Sequence, residues 1–452
     1  MCQPLSVTSA DARATEVIAR LNEWNKDLSP KDCKAKYESM AESPFAFYRG
    51  TNHLFWRDRA NDSRLAQFGK KAGTRTWLQG DLHTDNFGAF SNDRGVVVYD
   101  INDYDEAVIA DYQYDLWRMA VSIVLVGRRH NLDRDEQADV CDSFTSDYLL
   151  ALEAYASAGG EAEAIFDQSS TDGKLKDFLK NVRKENSRDA MLKKWTNGHG
   201  RFKLNDKLEK IADLDYQTIS AGVQKYQQDR VKKPEADPGK FFSVKDIARR
   251  VDAGIGSLGV PRFYVLIAGD DDGSRILDVK MQSIPTAYKF LTDEDQAEYH
   301  LLTQNTHRYP GENARWHEAA YRAMAKGTDD RLGWMQLSDG FYSVRELSFF
   351  KETLDTDKLK KNSQLIQVAK QWGRILATNH ARALSAFDRE YPTTPDRVFI
   401  HPKPKDEFKI VVVGLTDNHH DEFCALVRTV AFEYADQVKT DFDTFQTAFR
   451  AY

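Results

Sequence analysis

The sequence lacks any long apolar run, and this absence excludes a transmembrane helix. Its 452 residues include no stretch of about 18 apolar residues, the length that a bilayer span requires. The mean hydropathy is −0.61, on the polar side of the scale. We therefore expect no integral membrane association.

A basic excess is also missing. The chain has 63 lysines and arginines against 70 aspartates and glutamates, which gives a formal net charge of −7 at pH 7. Binding to a nucleic-acid backbone needs concentrated positive charge. We therefore expect no nucleic-acid partner, and the acidic balance favours a neutral or cationic small molecule as the partner.

Cysteine is scarce. The four cysteines are scattered without CxxC spacing: Cys2, Cys33, Cys141 and Cys424. This pattern predicts neither a zinc site nor a disulfide framework, so a reducing, cytoplasmic compartment is expected. The first residues carry no basic region followed by an apolar one, as a secretory signal would. A lipoprotein processed at Cys2 is the alternative that this start leaves open.

The residues that are present suffice for a core and show two kinds of periodicity. Hydrophobic residues make up 41% of the chain and aromatics 12%, which excludes wholesale disorder. Helical periodicity dominates residues 1–226 and 351–452, whereas short strand-like segments and a polar linker occupy 227–350. The sequence thus predicts an α+β fold with a helical part divided around a β-rich insert.

Several short apolar segments predict strands. Thr76–Leu78 and Val96–Tyr99 flank polar turn material and predict a hairpin-like arrangement, and a buried helix is expected after Asp115. The strands expected within the insert are Phe241–Val244, Gly259–Ala268, Ile276–Met281, Leu332–Gln336 and Phe341–Leu347.

A glycine-rich segment, GIGSLG at 254–259, lies between two of these strands. A dinucleotide site would need a helix after the glycines, but the β-forming run PRFYVLI follows. Glycines between two strands suit a flap whose backbone N–H groups face nucleotide phosphates. Lys280, in the third strand, could reach the same phosphates as a point charge, although a lysine on a solvated strand face would look the same.

A second motif, GDLHTDN at 80–86, is followed by DIND at 100–103. Carboxylate and amide oxygens crowd the ends of short strands here, and magnesium prefers such hard ligands. A carboxylate on a loop can also orient or deprotonate a hydroxyl group. A polar loop with Asx turns is the alternative explanation.

The two motifs together resemble the catalytic and metal-binding segments of protein kinases and of aminoglycoside or choline phosphotransferases. The resemblance implies that Asp81 is the catalytic residue. It implies metal ligands at Asn86, Asp100 and Asp103, for Mg²⁺ or alternatively Mn²⁺. Asp115 corresponds to an aspartate that opens the following helix.

The same resemblance implies an ATP site formed by the insert. The flap residues would be Gly254, Gly256, Ser257 and Gly259. Lys280 would be the phosphate-binding lysine, with Glu318 as its acidic partner and Glu298 as the competing choice. Arg49 is a candidate phosphate or substrate contact, against the alternative of a surface ion pair.

The order of the motifs is reversed relative to ordinary kinases, because the flap and lysine follow the catalytic loop. This order implies a circularly permuted, bilobal protein-kinase-like fold with a smaller antiparallel β-rich lobe. The chain from about 35 to 450 also resembles the bacterial domain-of-unknown-function family 2252. The segments that carry this resemblance are SPFAFYRG, GDLHTDNFG, YDINDYDEA, YDLWRMAVS, GIGSLG, LGW, YSVRELS and GRILATNHARA.

The sequence therefore predicts an ATP- and magnesium-dependent phosphotransferase that acts on a hydroxyl group of a small-molecule or protein acceptor. Transfer of AMP by the same fold is the enzymatic alternative. A catalytically inactive nucleotide-binding or scaffold protein is the alternative from another class.

Overall fold

In the computed structural model, the residues described are 1–6, 11–197, 199–230, 237–251, 254–270, 273–292, 296, 312–390 and 407–451. The fold is α+β, as predicted, with antiparallel sheets among the helices. Within these ranges, no helix is both long enough and apolar enough to cross a bilayer.

Helices occupy both ends of the chain. Those up to residue 230 are α1 (Ala12–Asn25), α2 (Pro30–Met40), α3 (Pro44–Gly50), α4 (Asn52–Arg59), α5 (Gln113–Arg129), α6 (Arg134–Ala158), α7 (Gly173–Glu185), α8 (Arg188–Trp195) and α9 (Asp213–Arg230). The later ones are α10 (Pro238–Phe241), α11 (Glu312–Met324), α12 (Asn362–Glu390), α13 (Glu407–Thr416) and α14 (His420–Arg450).

The strands form three separate antiparallel sheets. Their bounds are β1 (Arg75–Leu78), β2 (Phe87–Ser91), β3 (Val97–Ile101), β4 (Val108–Asp111), β5 (Leu208–Lys210), β6 (Val244–Arg250), β7 (Arg262–Asp270), β8 (Gly273–Met281), β9 (Gly333–Leu337), β10 (Gly340–Glu346) and β11 (Glu352–Thr353). The strand orders are β1-β4, β11-β2-β3 and β5-β6-β7-β8-β10-β9.

The predicted helix after Asp115 is α5, and it lies at the centre of the helical core. Its residues from Leu116 to Gly127 are all buried, and all of them except Arg118 and Ser122 are apolar or glycine. The long helix α14 packs against it, and α12 packs against the neighbouring α6. Strands β1 and β3 of the short sheets pack against α12 of this helical core.

The six-stranded sheet buries both of its faces, because side chains alternate along each strand. Val265 and Ile267 of β7 face α9 and α10, whereas Tyr264 and Leu266 face α8. Strand β5 and helix α8 precede residue 227, and α9 begins at Asp213, so the segment that packs with this sheet starts well before the predicted insert boundary.

Two of the sequence predictions about strands are wrong. The segments near 76–78 and 97–99 are strands, but they do not pair with each other: β1 pairs with β4, and β2 pairs with β3. The predicted strand Phe241–Val244 is wrong except at its last residue, because Phe241 ends the short helix α10 and β6 begins only at Val244. The helix forms because the Asp237 side chain accepts a hydrogen bond from the Lys240 N–H and Pro238 opens the first turn.

The first and last helices are neighbours. The Arg13 guanidinium of α1 binds the Asp441 carboxylate of α14 at 2.6 Å. Tyr37 of α2 packs edge-on against Phe445, with ring centroids 5.7 Å apart. The two ends of the sequence therefore contribute to one helical core.

The expectation of no disulfide is also wrong, because Cys2 and Cys33 are joined. The bond ties the N-terminal segment to α2 across a separation of 31 residues, with a Cα–Cα distance of 5.5 Å. It engages the Cys2 sulfur that the lipoprotein alternative would require to be free. Cys141 and Cys424 are buried free thiols.

We expect this disulfide to stabilise the fold. Closing a loop of this length stabilises a protein by about 3–4 kcal/mol in the chain-entropy model. Cys2→Ser should lower the free energy of unfolding by that order, and added reductant should lower the melting temperature of the wild type but not of the variant. Titration of the unfolded wild type without reductant should detect two thiols; detection of four would contradict the assignment.

Candidate functional site

A cleft of about 680 Å³ brings together residues from distant parts of the sequence. Most of the predicted site residues line it: Arg49, Asp81, Asn86, Asp103, Gly254, Gly256, Ser257 and Lys280. Three predicted residues are not among the residues that line it: Asp100, Gly259 and Glu318. The helical part contributes the acidic wall, and the six-stranded sheet contributes the glycine segment and the lysine.

The turn before Asp81 requires a glycine. Gly80 has a φ of +82°, and a Cβ at this position would lie 1.9 Å from the Glu106 carbonyl oxygen. The Gly80 carbonyl accepts hydrogen bonds from Trp56 Nε1 at 2.8 Å and Asn52 Nδ2 at 3.2 Å. Helix α4 therefore binds this turn through hydrogen bonds, and the loop before β4 packs closely against Gly80.

Asp115, at the start of α5, also binds this turn. Its buried carboxylate accepts hydrogen bonds from the backbone N–H of Gln79 at 2.7 Å and of Gly80 at 3.0 Å. His380 of α12 lies 3.3 Å from the same carboxylate. The aspartate that the resemblance placed at the start of α5 thus positions the loop that carries Asp81.

The Asp81 carboxylate is anchored through one oxygen. Arg118 of α5 binds Oδ1 through Nε at 2.8 Å and through Nη2. Arg118 itself is buried, with its guanidinium carbon 4.2 Å from the centre of the Tyr48 ring. Burial raises the pKa of Asp81 to about 6, although Arg118 opposes this rise. Such a value suits a group that accepts a proton near neutral pH.

The donor set at the mouth of the cleft partly fits a magnesium ion. Asn86 donates through Nδ2 to the Asp81 carbonyl at 3.0 Å, and its Oδ1 accepts no hydrogen bond from a described residue. Asp103 lies beside it on the cleft wall. In the described part of the chain, no three His, Cys, Asp or Glu side chains are close enough to enclose a metal. An ion held by Asn86 and Asp103 would take its other ligands from phosphate and water, as magnesium commonly does.

Asp100 is placed differently from the prediction. It is 6% exposed, and its Oδ1 accepts hydrogen bonds from Asn379 Nδ2 at 2.7 Å and from the Ile101 N–H at 2.8 Å. Arg382 of α12 lies 3.9 Å from its other oxygen. Burial raises the pKa of this carboxyl group. Its partners are therefore on α12, which sequence spacing does not indicate.

The glycine segment lies over Asp81. A Cβ at Gly256 would be 4.0 Å from Asp81 Oδ2, and one at Gly254 would be 4.0 Å from Arg49 Nη2. Gly259 has a φ of +83° and packs against Leu28, so a side chain at this position would strain the backbone and clash with Leu28. The prediction that this segment joins two strands is confirmed, because it connects β6 to β7.

Lys280 pairs with Asp105, so the choice of Glu318 is wrong. The Lys280 ammonium binds the Asp105 carboxylate and lies 2.5 Å from Ser257 Oγ of the glycine segment. Glu318 instead pairs with Arg322, one turn further along α11. The competing choice, Glu298, lies outside the described residues. Asp105 belongs to the same acidic loop as Asp103. The spacing of residues in the sequence does not indicate that β8, which carries Lys280, lies against this loop.

Arg49 is held at the rim of the cleft. Its Nη1 binds the Asp85 carboxylate at 2.8 Å, and its Nε is buried without a hydrogen-bond partner. The ion-pair alternative is therefore realised, while the guanidinium still lines the cleft. Arg118 and Gln79 are site residues that sequence reasoning missed; Gln79 Oε1 accepts the Asp81 N–H at 2.8 Å.

Comparison with known proteins gives a family. Residues 28–448 match the model of a family described as an uncharacterized protein conserved in bacteria, DUF2252. The match spans most of the chain, so the chain belongs to this family. No curated protein and no solved structure matches it.

We expect Asp115→Asn to destabilise the protein. An amide can accept only one of the two backbone hydrogen bonds well, and its own N–H₂ group then faces a buried donor. The free energy of unfolding should fall by about 1–3 kcal/mol. Asp139→Asn makes the same change on the exposed face of α6 and should leave stability within about 0.5 kcal/mol. Equal effects of the two substitutions in denaturant unfolding would contradict the positioning role.

Proposed function

From its membership of DUF2252 and the geometry of the cleft, we propose that this chain is an ATP- and magnesium-dependent phosphotransferase with a circularly permuted, bilobal kinase-like fold. The observation that carries the proposal is the convergence of the glycine segment and Lys280 on the loop of Asp81. These groups are separated in the sequence by about 170 to 200 residues, yet they line one cleft. Their chemistry is complementary, since one set suits phosphates and the other suits a hydroxyl group.

The nucleotide would bind between the glycine segment and the acidic loop. Backbone N–H groups of residues 254–256 would contact phosphate oxygens, and the Lys280 ammonium would bind them as a point charge. In the structure, Lys280 is held by Asp105 and by Ser257 of the glycine segment itself. The pair therefore presents the ammonium at the place where the phosphates would lie.

Asp81 would orient the acceptor. Its Oδ1 is occupied by Arg118, which leaves Oδ2 toward the glycine segment. In the transfer, a bond forms between the acceptor oxygen and the γ-phosphorus, the bond from that phosphorus to the β–γ bridging oxygen breaks, and ADP leaves. The hydroxyl proton goes to Asp81. Magnesium, bound by Asn86 and Asp103, would supply positive charge to the phosphates.

The neighbouring termini support the permutation. Arg13 of α1 contacts Asp441 of α14, and α1 and α2 pack in the same core as that last helix. Joining the two ends would restore the usual order of flap, lysine and catalytic loop. Chain termini that lie close together make such a rearrangement possible without a change of core.

We expect magnesium and ATP to raise the melting temperature of the wild type. A ligand at one hundred times its Kd stabilises the folded state by about 2.7 kcal/mol. Lys280→Met should raise the ATP concentration that gives half of the maximal shift at least about tenfold, because a charge-assisted contact is lost. Lys245→Met, on the exposed side of β6, should respond like the wild type. No response of the wild type at millimolar nucleotide would refute the proposal.

We expect Asp81→Asn to abolish turnover and to leave nucleotide binding intact. Transfer would be followed with ATP labelled at the γ or the α phosphate, against a panel of metabolites. Label transferred from the γ position supports phosphoryl transfer, whereas label from the α position would show that AMP is transferred instead. Asp139→Asn is the matched control for loss of one carboxylate. Undiminished turnover in Asp81→Asn would rule out the role given to this residue.

A further inference from the structure

One end of the cleft has no part in the phosphoryl transfer proposed above. It is formed by α1, α2, α4 and the short helical turn at 286–289, away from the six-stranded sheet. Its wall includes Trp24, Lys36, His53 and Lys289. Two of these side chains, Lys36 and His53, are buried polar groups without the partners that burial normally demands.

Lys36 is the most unusual of them. It is only 5% exposed, and it makes no hydrogen bond or ion pair with any described residue. The other buried or half-buried cations of the cleft are paired, Lys280 with Asp105 and Arg49 with Asp85. An ammonium group removed from water without a counterion carries a large desolvation cost.

The nearest acidic groups do not neutralise Lys36. The carboxylates whose charges act on it are those of Glu106 and Asp81. Glu106 accepts the Thr286 N–H at 2.6 Å, and burial raises its pKa to about 8, so it is mostly uncharged at neutral pH. Asp81 is bound to Arg118. Burial lowers the pKa of Lys36 to about 8, which still leaves it mainly protonated at pH 7.

His53 lies next to this lysine and is also unpartnered. Its ring stacks on Trp24, with centroids 4.6 Å apart and an angle of 6° between the planes. Both ring nitrogens are buried without a hydrogen bond. Burial, together with Lys36 and Lys289, holds the pKa of His53 well below its usual range, so the ring is neutral and has one N–H to donate.

Lys289 adds a second cation at the rim. Its ammonium lies 4.2 Å from the centre of the Trp24 ring and is exposed to solvent. It makes no ion pair with a described residue. Two ammonium groups, one imidazole N–H and an aromatic plane therefore surround a space that no protein anion fills.

We propose that this end of the cleft binds an anionic group, a carboxylate or a phosphate, of the acceptor substrate, with Lys36 as its principal ligand and with His53 and Lys289 beside it. The assignment of this anion to the acceptor rests on the proposed function, because that function places the acceptor next to Asp81 and the nucleotide at Lys280. It reverses the expectation of a neutral or cationic acceptor. That expectation came from the net charge of the whole chain, whereas this end of the cleft holds two ammonium groups, those of Lys36 and Lys289, that form no ion pair with a described residue.

The test uses the full chain saturated with Mg²⁺ and a non-hydrolysable ATP analogue, so that the nucleotide phosphates are already in place. Inorganic phosphate and acetate are titrated separately, with the melting temperature as readout, and the comparison of the two anions distinguishes a phosphate from a carboxylate. Lys36→Met should raise the midpoint concentration of the effective anion at least about tenfold. The affinity for the analogue should remain that of the wild type.

Lys34→Met is the matched control, because Lys34 lies on the same helix, is exposed and faces Glu38. It should respond like the wild type and sets the background of general stabilisation by phosphate. If Lys36→Met does not fold, Lys289→Met at the solvent-exposed rim tests the same subsite, with a smaller loss expected. Folding is checked by circular dichroism.

Three results would overturn the inference. The first is an unchanged anion midpoint in folded Lys36→Met, and the second is an equal shift in Lys34→Met. The third is a proportional loss of analogue affinity in Lys36→Met, which would assign Lys36 to the nucleotide phosphates. If the wild type does not bind the analogue, the proposed function fails separately; the anion titration without nucleotide then supports the anion site if it depends on Lys36 and refutes it if it does not.

Discussion

The site depends on one buried carboxylate. Asp115 accepts the N–H groups of Gln79 and Gly80, and so fixes a turn that only glycine can make. Without these bonds, two backbone donors in the core would lack partners, since no solvent reaches them. The turn directs Asp81 into the cleft, where Arg118, from the next turn of the same helix as Asp115, holds it. Helix α5 therefore fixes both the backbone and the charge of the loop that carries Asp81.

Three ion pairs lie in or beside the cleft. Lys280 with Asp105, Arg49 with Asp85 and Arg118 with Asp81 are mutually neutralised in a partly desolvated space. Such pairs are stable only when both members are present. Lys36 breaks this pattern, because it is buried without a partner. The net charge of −7 belongs to the whole chain and does not describe the surroundings of Lys36.

The fold brings together two sets of residues that are distant in the sequence. The glycine segment and Lys280 belong to a sheet packed between α8 on one face and α9 and α10 on the other. The acidic loops belong to short sheets on the helical core, to which both ends of the chain contribute. Sheet and core meet where Lys280 binds Asp105, so the ion pair is also a contact between the two units.

Sequence alone was enough to predict the α+β class, the buried helix after Asp115, the position of the glycine segment between two strands, and eight of the residues that line the cleft. These follow from local periodicity and from residue types that have few other uses. Only the tertiary structure decided that Lys280 pairs with Asp105, that Asp100 binds Asn379 and Arg382, and that Lys36 is buried and unpaired. Each of these facts depends on which distant segments pack together, and side-chain pairing across a core leaves no periodic signal in a single sequence.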